Sequence, residues 1–104
     1  MNIANEMEAI LSKRKELHLN DDYGIQKSWN EITEVLSGNE ERAIRYLENC
    51  NKEDLYYISE VFEDIAEKLQ SKKLIVTLRE LDRKYPELEM TKGIDLAESY
   101  IEIL

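Results

Sequence analysis

Four carboxylates recur along one stretch of this chain: Glu60, Glu63, Asp64 and Glu67, within YYISEVFEDIAEKLQ (Tyr56–Gln70). Their spacing is i, i+3, i+4, i+7, which on an α-helix gathers all four on one face. Tyr56, Tyr57 and Glu53 extend that face by one turn. Acids placed in this way could hold a metal ion, share a proton as a catalytic pair, dock a basic partner, or face water. Outside the stretch, reactive side chains are few: the chain has one cysteine, Cys50, and one histidine, His18.

The metal reading fails on ligands. A di-iron bundle needs a Glu-x-x-His step on two of its helices, and His18 belongs to no such step. Asn20, Asp21 and Asp22 lack the alternating oxygen ligands and closing Glu of a calcium loop. A zinc site needs more Cys and His than one of each. No metal and no cofactor are expected.

The catalytic readings fail on geometry. Glu60 and Asp64 are one turn apart on the same helix, whereas glycosidase-type acids face each other across a cleft. Cys50 and His18 have no evident third group to orient them, and no nucleophile elbow or phosphate loop is present. Cys50 falls at the end of a helix, where the negative end of the dipole raises a thiol pKa. It is best read as a packing residue, and His18 as a solvent-facing one. No catalytic residue is assigned, and the chain is expected not to be an enzyme.

The elements that carry these residues follow from apolar periodicity. Three glycines and one proline leave little punctuation, and no segment alternates with period two. The first helix is expected over Ile3–Leu17, with Ile3, Met7, Ile10, Leu11 and Leu17 inward. The second covers Tyr23–Ser37, with Ile25, Trp29, Ile32 and Leu36 in register, so Trp29 reads as a core residue. Gly38 stops it. Asn39 caps a third helix whose apolar face is Ala43, Ile44 and Leu47. Asn51 caps the fourth and longest, Lys52–Gln70, with Leu55, Ile58, Phe62, Ile65 and Leu69 buried. The fifth, Lys72–Lys84, returns antiparallel after a short break, with Leu74, Leu78 and Leu81 inward. Pro86 ends it by restricting Tyr85. Thr91 caps a last helix reaching Glu102, with Ile94, Ala97, Ile101 and Leu104 facing in. The expected fold is all-α: about six antiparallel helices, as stacked helical hairpins or a compact bundle, in one domain spanning residues 1–104.

Charge narrows the partners. The net charge of −9 opposes binding to nucleic acid and to anionic membranes. It suits a basic partner, and it suits simple solubility equally well. Within Lys52–Gln70 six acids face two lysines, a net of −4, while Lys72–Tyr85 carries a net of +3. The acids are therefore either a solvated face partly balanced by the fifth helix or a docking face for a basic protein. A lone cysteine rules out an internal disulfide. Asn5, Glu6 and Glu8 interrupt any signal-peptide core, and no apolar run approaches membrane length. A cytoplasmic protein made without a leader is expected.

The segments EDLYYISEVFEDIAEKLQS, LRELDRKYPELEM and GIDLAESYI, within Lys52–Ile101, resemble the small all-helical immunity proteins of bacterial polymorphic-toxin and contact-dependent-inhibition systems. The Tyr-rich acidic helix, the KYPEL ending (Lys84–Leu88), the size and the charge carry the resemblance, and Met1–Asn51 adds nothing to it. It implies an inhibitor that binds a cognate toxin domain, often a basic nuclease, without catalysis of its own. It transfers no site residues. The partner-binding set Tyr56, Tyr57, Glu60, Glu63, Asp64 and Glu67 comes from helical spacing alone. The competing expectation is a helical scaffold or adaptor, dimeric in one version, that binds through an apolar groove with Tyr56, Tyr57, Tyr100 and Leu104 as contacts.

Overall fold

The computed structural model of the chain describes residues 2–102. Seven α-helices run along the described residues: α1 (Ile3–Glu16), α2 (Asp22–Leu36), α3 (Glu40–Asn49), α4 (Lys52–Ile58), α5 (Phe62–Leu69), α6 (Lys72–Lys84) and α7 (Thr91–Ser99). Two 3-10 turns, Ser59–Val61 and Pro86–Leu88, complete the helical content. There is no strand among the described residues, so the fold is all-α, as the periodicity predicts. Because α4, the first 3-10 turn and α5 follow one another without a loop, the chain forms six helical rods.

Polar caps start most of the helices. Asn2, Asp21, Asn39, Asn51 and Ser71 each accept a hydrogen bond from a backbone N–H two or three residues on, at 2.7–3.0 Å. Each bond satisfies a donor that the first helical turn leaves without a partner. At α2 the cap demands a glycine. A Cβ on Gly24 would lie 2.8 Å from Asp21 Oδ2 and 2.9 Å from Leu17 Cδ2. Thr91 does not cap the last helix as expected. It is the first helical residue, Met90 occupies the cap position, and the Thr91 hydroxyl donates to Asp82 at 2.6 Å. That helix also stops at Ser99, short of Glu102; Leu104 lies outside the described residues.

The single helix expected over Lys52–Gln70 is broken. Ser59 Oγ donates to the Tyr56 carbonyl at 2.5 Å, a local bond that competes with helical pairing. Val61 then leaves the helical region (φ −126°, ψ 19°). Leu55, Ile58 and Val61 are all fully buried at steps of three. A 3-10 turn, with three residues per turn, keeps such residues in line where an α-helix would rotate them apart.

Packing departs from a simple file of hairpins. α1 lies on α2, and α5 lies chiefly on α7. α6 rests on α7 and α3 rather than mainly on its sequence neighbour α5. The 3-10 turn Ser59–Val61 sits against α2. One contiguous core results, built from Met7, Ile32, Leu55, Phe62, Leu78 and Ile94 with their neighbours. The radius of gyration is 12.9 Å, against about 13 Å expected of a compact chain of this length. The rods therefore form a bundle rather than an extended stack.

Phe62 opens α5 and is among the largest fully enclosed side chains. Truncation by Phe62→Ala should lower unfolding free energy by roughly 3–5 kcal/mol, read from urea denaturation. A loss below about 1 kcal/mol would show that the core closes over the gap or is packed elsewhere.

Candidate functional site

The acidic stretch divides into two parts. Glu60, on the 3-10 turn, points inward to a cationic partner. Arg14 Nε donates to Glu60 Oε1 at 3.1 Å, and Arg14 Nη2 donates to Oε2 at 2.9 Å. The Trp29 indole N–H donates to the same Oε1 at 3.1 Å. The Arg14 guanidinium also stands 5.1 Å from the centre of the Tyr57 ring, a cation–π distance. Arg14 is only 7% exposed. A charge that far from water needs a paired, hydrogen-bonded partner, and the bidentate carboxylate supplies one. Glu60 and Tyr57 thus hold α1, α2 and α4 together.

Glu63, Asp64 and Glu67 have no ion pair among the described residues. The non-helical Val61 takes Glu60 out of register with them, so the four acids do not share one face. Glu63 and Asp64 occupy the first turn of α5, which has no side-chain cap. There their charges favour the positive end of the helix dipole. Asp64 and Glu67 are exposed, and Glu63 is half-buried. Tyr56 is 51% exposed and meets Tyr57 edge-on, with ring centres 5.4 Å apart.

Of the basic residues in the Lys72–Tyr85 run, the one that forms ion pairs among the described residues turns away from the acidic stretch. Arg79 pairs with Asp95 and Glu98 of α7 at 2.7 and 2.8 Å. These carboxylates raise the Arg79 pKa further. Just upstream of the stripe, Lys15 of α1 holds Glu53 at 2.8 Å and Asp54 at 2.6 Å. No ion pair links the acids of residues 60–67 to α6 among the described residues. The balancing cations come instead from α1, whose sequence separation hides the pairing. One signal is nevertheless present in the sequence: Arg14 follows Met7 and Leu11 at core register, where an arginine requires an acidic partner.

Chemistry at the other candidates is muted. Cys50 caps the C-terminus of α3, and its thiol lies 3.5 Å from the Leu47 carbonyl. Burial first, and the Asp54 charge second, push the thiol pKa up to about 11. His18 is exposed, and its Nδ1 accepts from the Asn20 N–H at 3.1 Å, closing the turn between α1 and α2. Among the described residues no group of three or more His, Cys, Asp or Glu is placed to hold a metal ion. No described helix is long and apolar enough to cross a membrane.

Two outcomes test this arrangement. Arg14→Ala strands Glu60 and should destabilise the protein by roughly 3 kcal/mol, whereas Arg14→Met combined with Glu60→Leu should cost less than either single truncation. Additive single effects in that cycle would show the pair to be uncoupled. Alkylation of native Cys50 by iodoacetamide should remain slow at pH 8 and climb through pH ~10–11, because only the thiolate reacts. A plateau near pH 9 would contradict the raised pKa.

No protein-family model, no curated protein and no solved structure matches this chain.

Proposed function

We propose that the protein is an immunity-type inhibitor: it binds a basic toxin domain through the outer acids of α5 and performs no chemistry itself. The observation that carries this reading is the trio Glu63, Asp64 and Glu67. These charges have no ion pair among the described residues in a molecule of net charge −9, and exposed Tyr56 lies one helical piece upstream. Unpaired surface carboxylates repel one another at helical spacing. A basic partner would relieve that repulsion, speed encounter and gain contact area from the tyrosine. Glu60 and Tyr57 leave the contact set and support it from beneath.

A second reading has its own observation. Ile75, Val76 and Ile101 line a groove of about 300 Å³ between α6 and the end of α7, and Val76 and Leu96 are exposed. An adaptor, or a dimer, would bind through this apolar strip. Self-association that persists in high salt favours it, because burial of apolar surface is not screened.

The test is a triple reversal, Glu63→Lys, Asp64→Lys and Glu67→Lys. Association with a cognate basic toxin domain should slow by roughly tenfold or more at low salt, and its salt dependence should flatten. Cells producing that domain should lose protection. Undiminished protection and an unchanged association rate would eliminate α5 as the docking element.

A further inference from the structure

α3 sets two arginines and two neutral polar residues at i, i+3, i+4, i+7 spacing. Arg42, Arg45, Tyr46 and Asn49 share one face of this helix, while Ala43 and Leu47 turn into the core. Unlike the acidic stretch, α3 is unbroken. Its outer face forms one wall of a groove of about 450 Å³, and Ile3 and Ala4 of α1 form the other. No Asp or Glu lines this groove among the described residues, although the chain contains 23 of them.

The guanidinium and phenol groups here are left without side-chain partners among the described residues. Neither Arg42 nor Arg45 has a carboxylate within 4 Å among the described residues. The half-buried Tyr46 makes no side-chain hydrogen bond among them, and burial keeps its phenol protonated, hence a donor. Asn49 Nδ2 donates to the Arg45 carbonyl at 2.7 Å, which leaves Asn49 Oδ1 free as an acceptor. Two guanidinium groups and a phenol suit carboxylates, and a lone amide oxygen suits a backbone N–H. The groove also continues beyond Tyr46 into a second cleft of about 500 Å³ that shares Ala4, Tyr46 and Asn49 and is lined further on by Glu8, Lys15 and Asp54, so the carboxylates of a bound chain belong at the Arg42–Arg45 end. A run of clefts along two helices fits an extended chain better than a compact molecule. A polyphosphate ligand would leave the apolar wall of Ile3 and Ala4 without a partner.

We propose that the α1–α3 groove docks an acidic peptide segment of a partner protein, its carboxylates on Arg42 and Arg45 and its apolar side chains against Ile3 and Ala4. This site is separate from the α5 face and holds whether or not the toxin-inhibitor reading does.

The probe is a fluorescein-labelled peptide of alternating Glu and Leu, followed by fluorescence anisotropy with the full chain. It should bind, and a matching Lys and Leu peptide should not. Arg42→Glu with Arg45→Glu should weaken binding by roughly tenfold or more, and Tyr46→Phe by roughly threefold, with salt reducing the affinity. Both arginines are exposed, so circular dichroism and the urea midpoint of the double variant should match the parent. Four results would each overturn the proposal: no binding, equal binding of the Lys peptide, unchanged affinity in the double arginine variant, or complete displacement by glutarate. The last would mean a pocket for free carboxylates and not a peptide groove.

Discussion

Glu60 is where the chain's charge meets its core. A carboxylate on a 3-10 turn accepts three hydrogen bonds, two from Arg14 and one from Trp29. The donors come from helices that open the chain, and the acceptor from its middle. Because Arg14 is buried, the pair cannot separate without leaving a charge far from water. Tyr57 closes the assembly from the guanidinium face. The position of α1 and α2 against the interrupted helix depends on this contact, and so does the direction in which α5 leaves the turn.

That direction decides which acids remain available. Of the acids between residues 53 and 67, Glu53, Asp54 and Glu60 are taken by Lys15 and Arg14 of α1. α7 draws on α6 in the same way, through Arg79. Of the acids between residues 53 and 67, Glu63, Asp64 and Glu67 on α5 are left over, and the first two steady an uncapped helix start. Stability and docking are therefore compatible uses of the same side chains. Arg42 and Arg45 of α3 likewise have no ion pair among the described residues. A strongly acidic molecule thus presents an acidic trio on α5 and an arginine pair on α3.

The far end of the bundle is secured by a different device. Gln70 adopts a left-handed conformation (φ 49°), unusual for a residue with a side chain. Its amide donates to the Tyr100 carbonyl and accepts from the Glu102 N–H, at 2.8 and 2.7 Å. Three hydrogen bonds, counting that to the Glu67 carbonyl, offset the conformational cost and pin the segment after α7.

By itself the sequence determined the all-α class, most helix bounds, two of the caps and most inward residues, because helical period and capping are local properties of neighbouring residues; it did not determine the break at Ser59–Val61. Asn39 and Asn51 at helix starts, Pro86 after α6, and buried Ile94, Ala97 and Ile101 are all legible in it. The outer acids Glu63, Asp64 and Glu67 are equally legible as charges on a helix. What only the tertiary structure decided is their company. Nothing local announces that Glu60 turns inward, since its partner Arg14 lies 46 residues away. Nor does local spacing show that α6 pairs with α7 and leaves the acidic stretch alone, or that the α3 arginines border a groove made by α1. Ion pairs and grooves belong to elements that meet in space, and the free energy of desolvating a charge is settled only there.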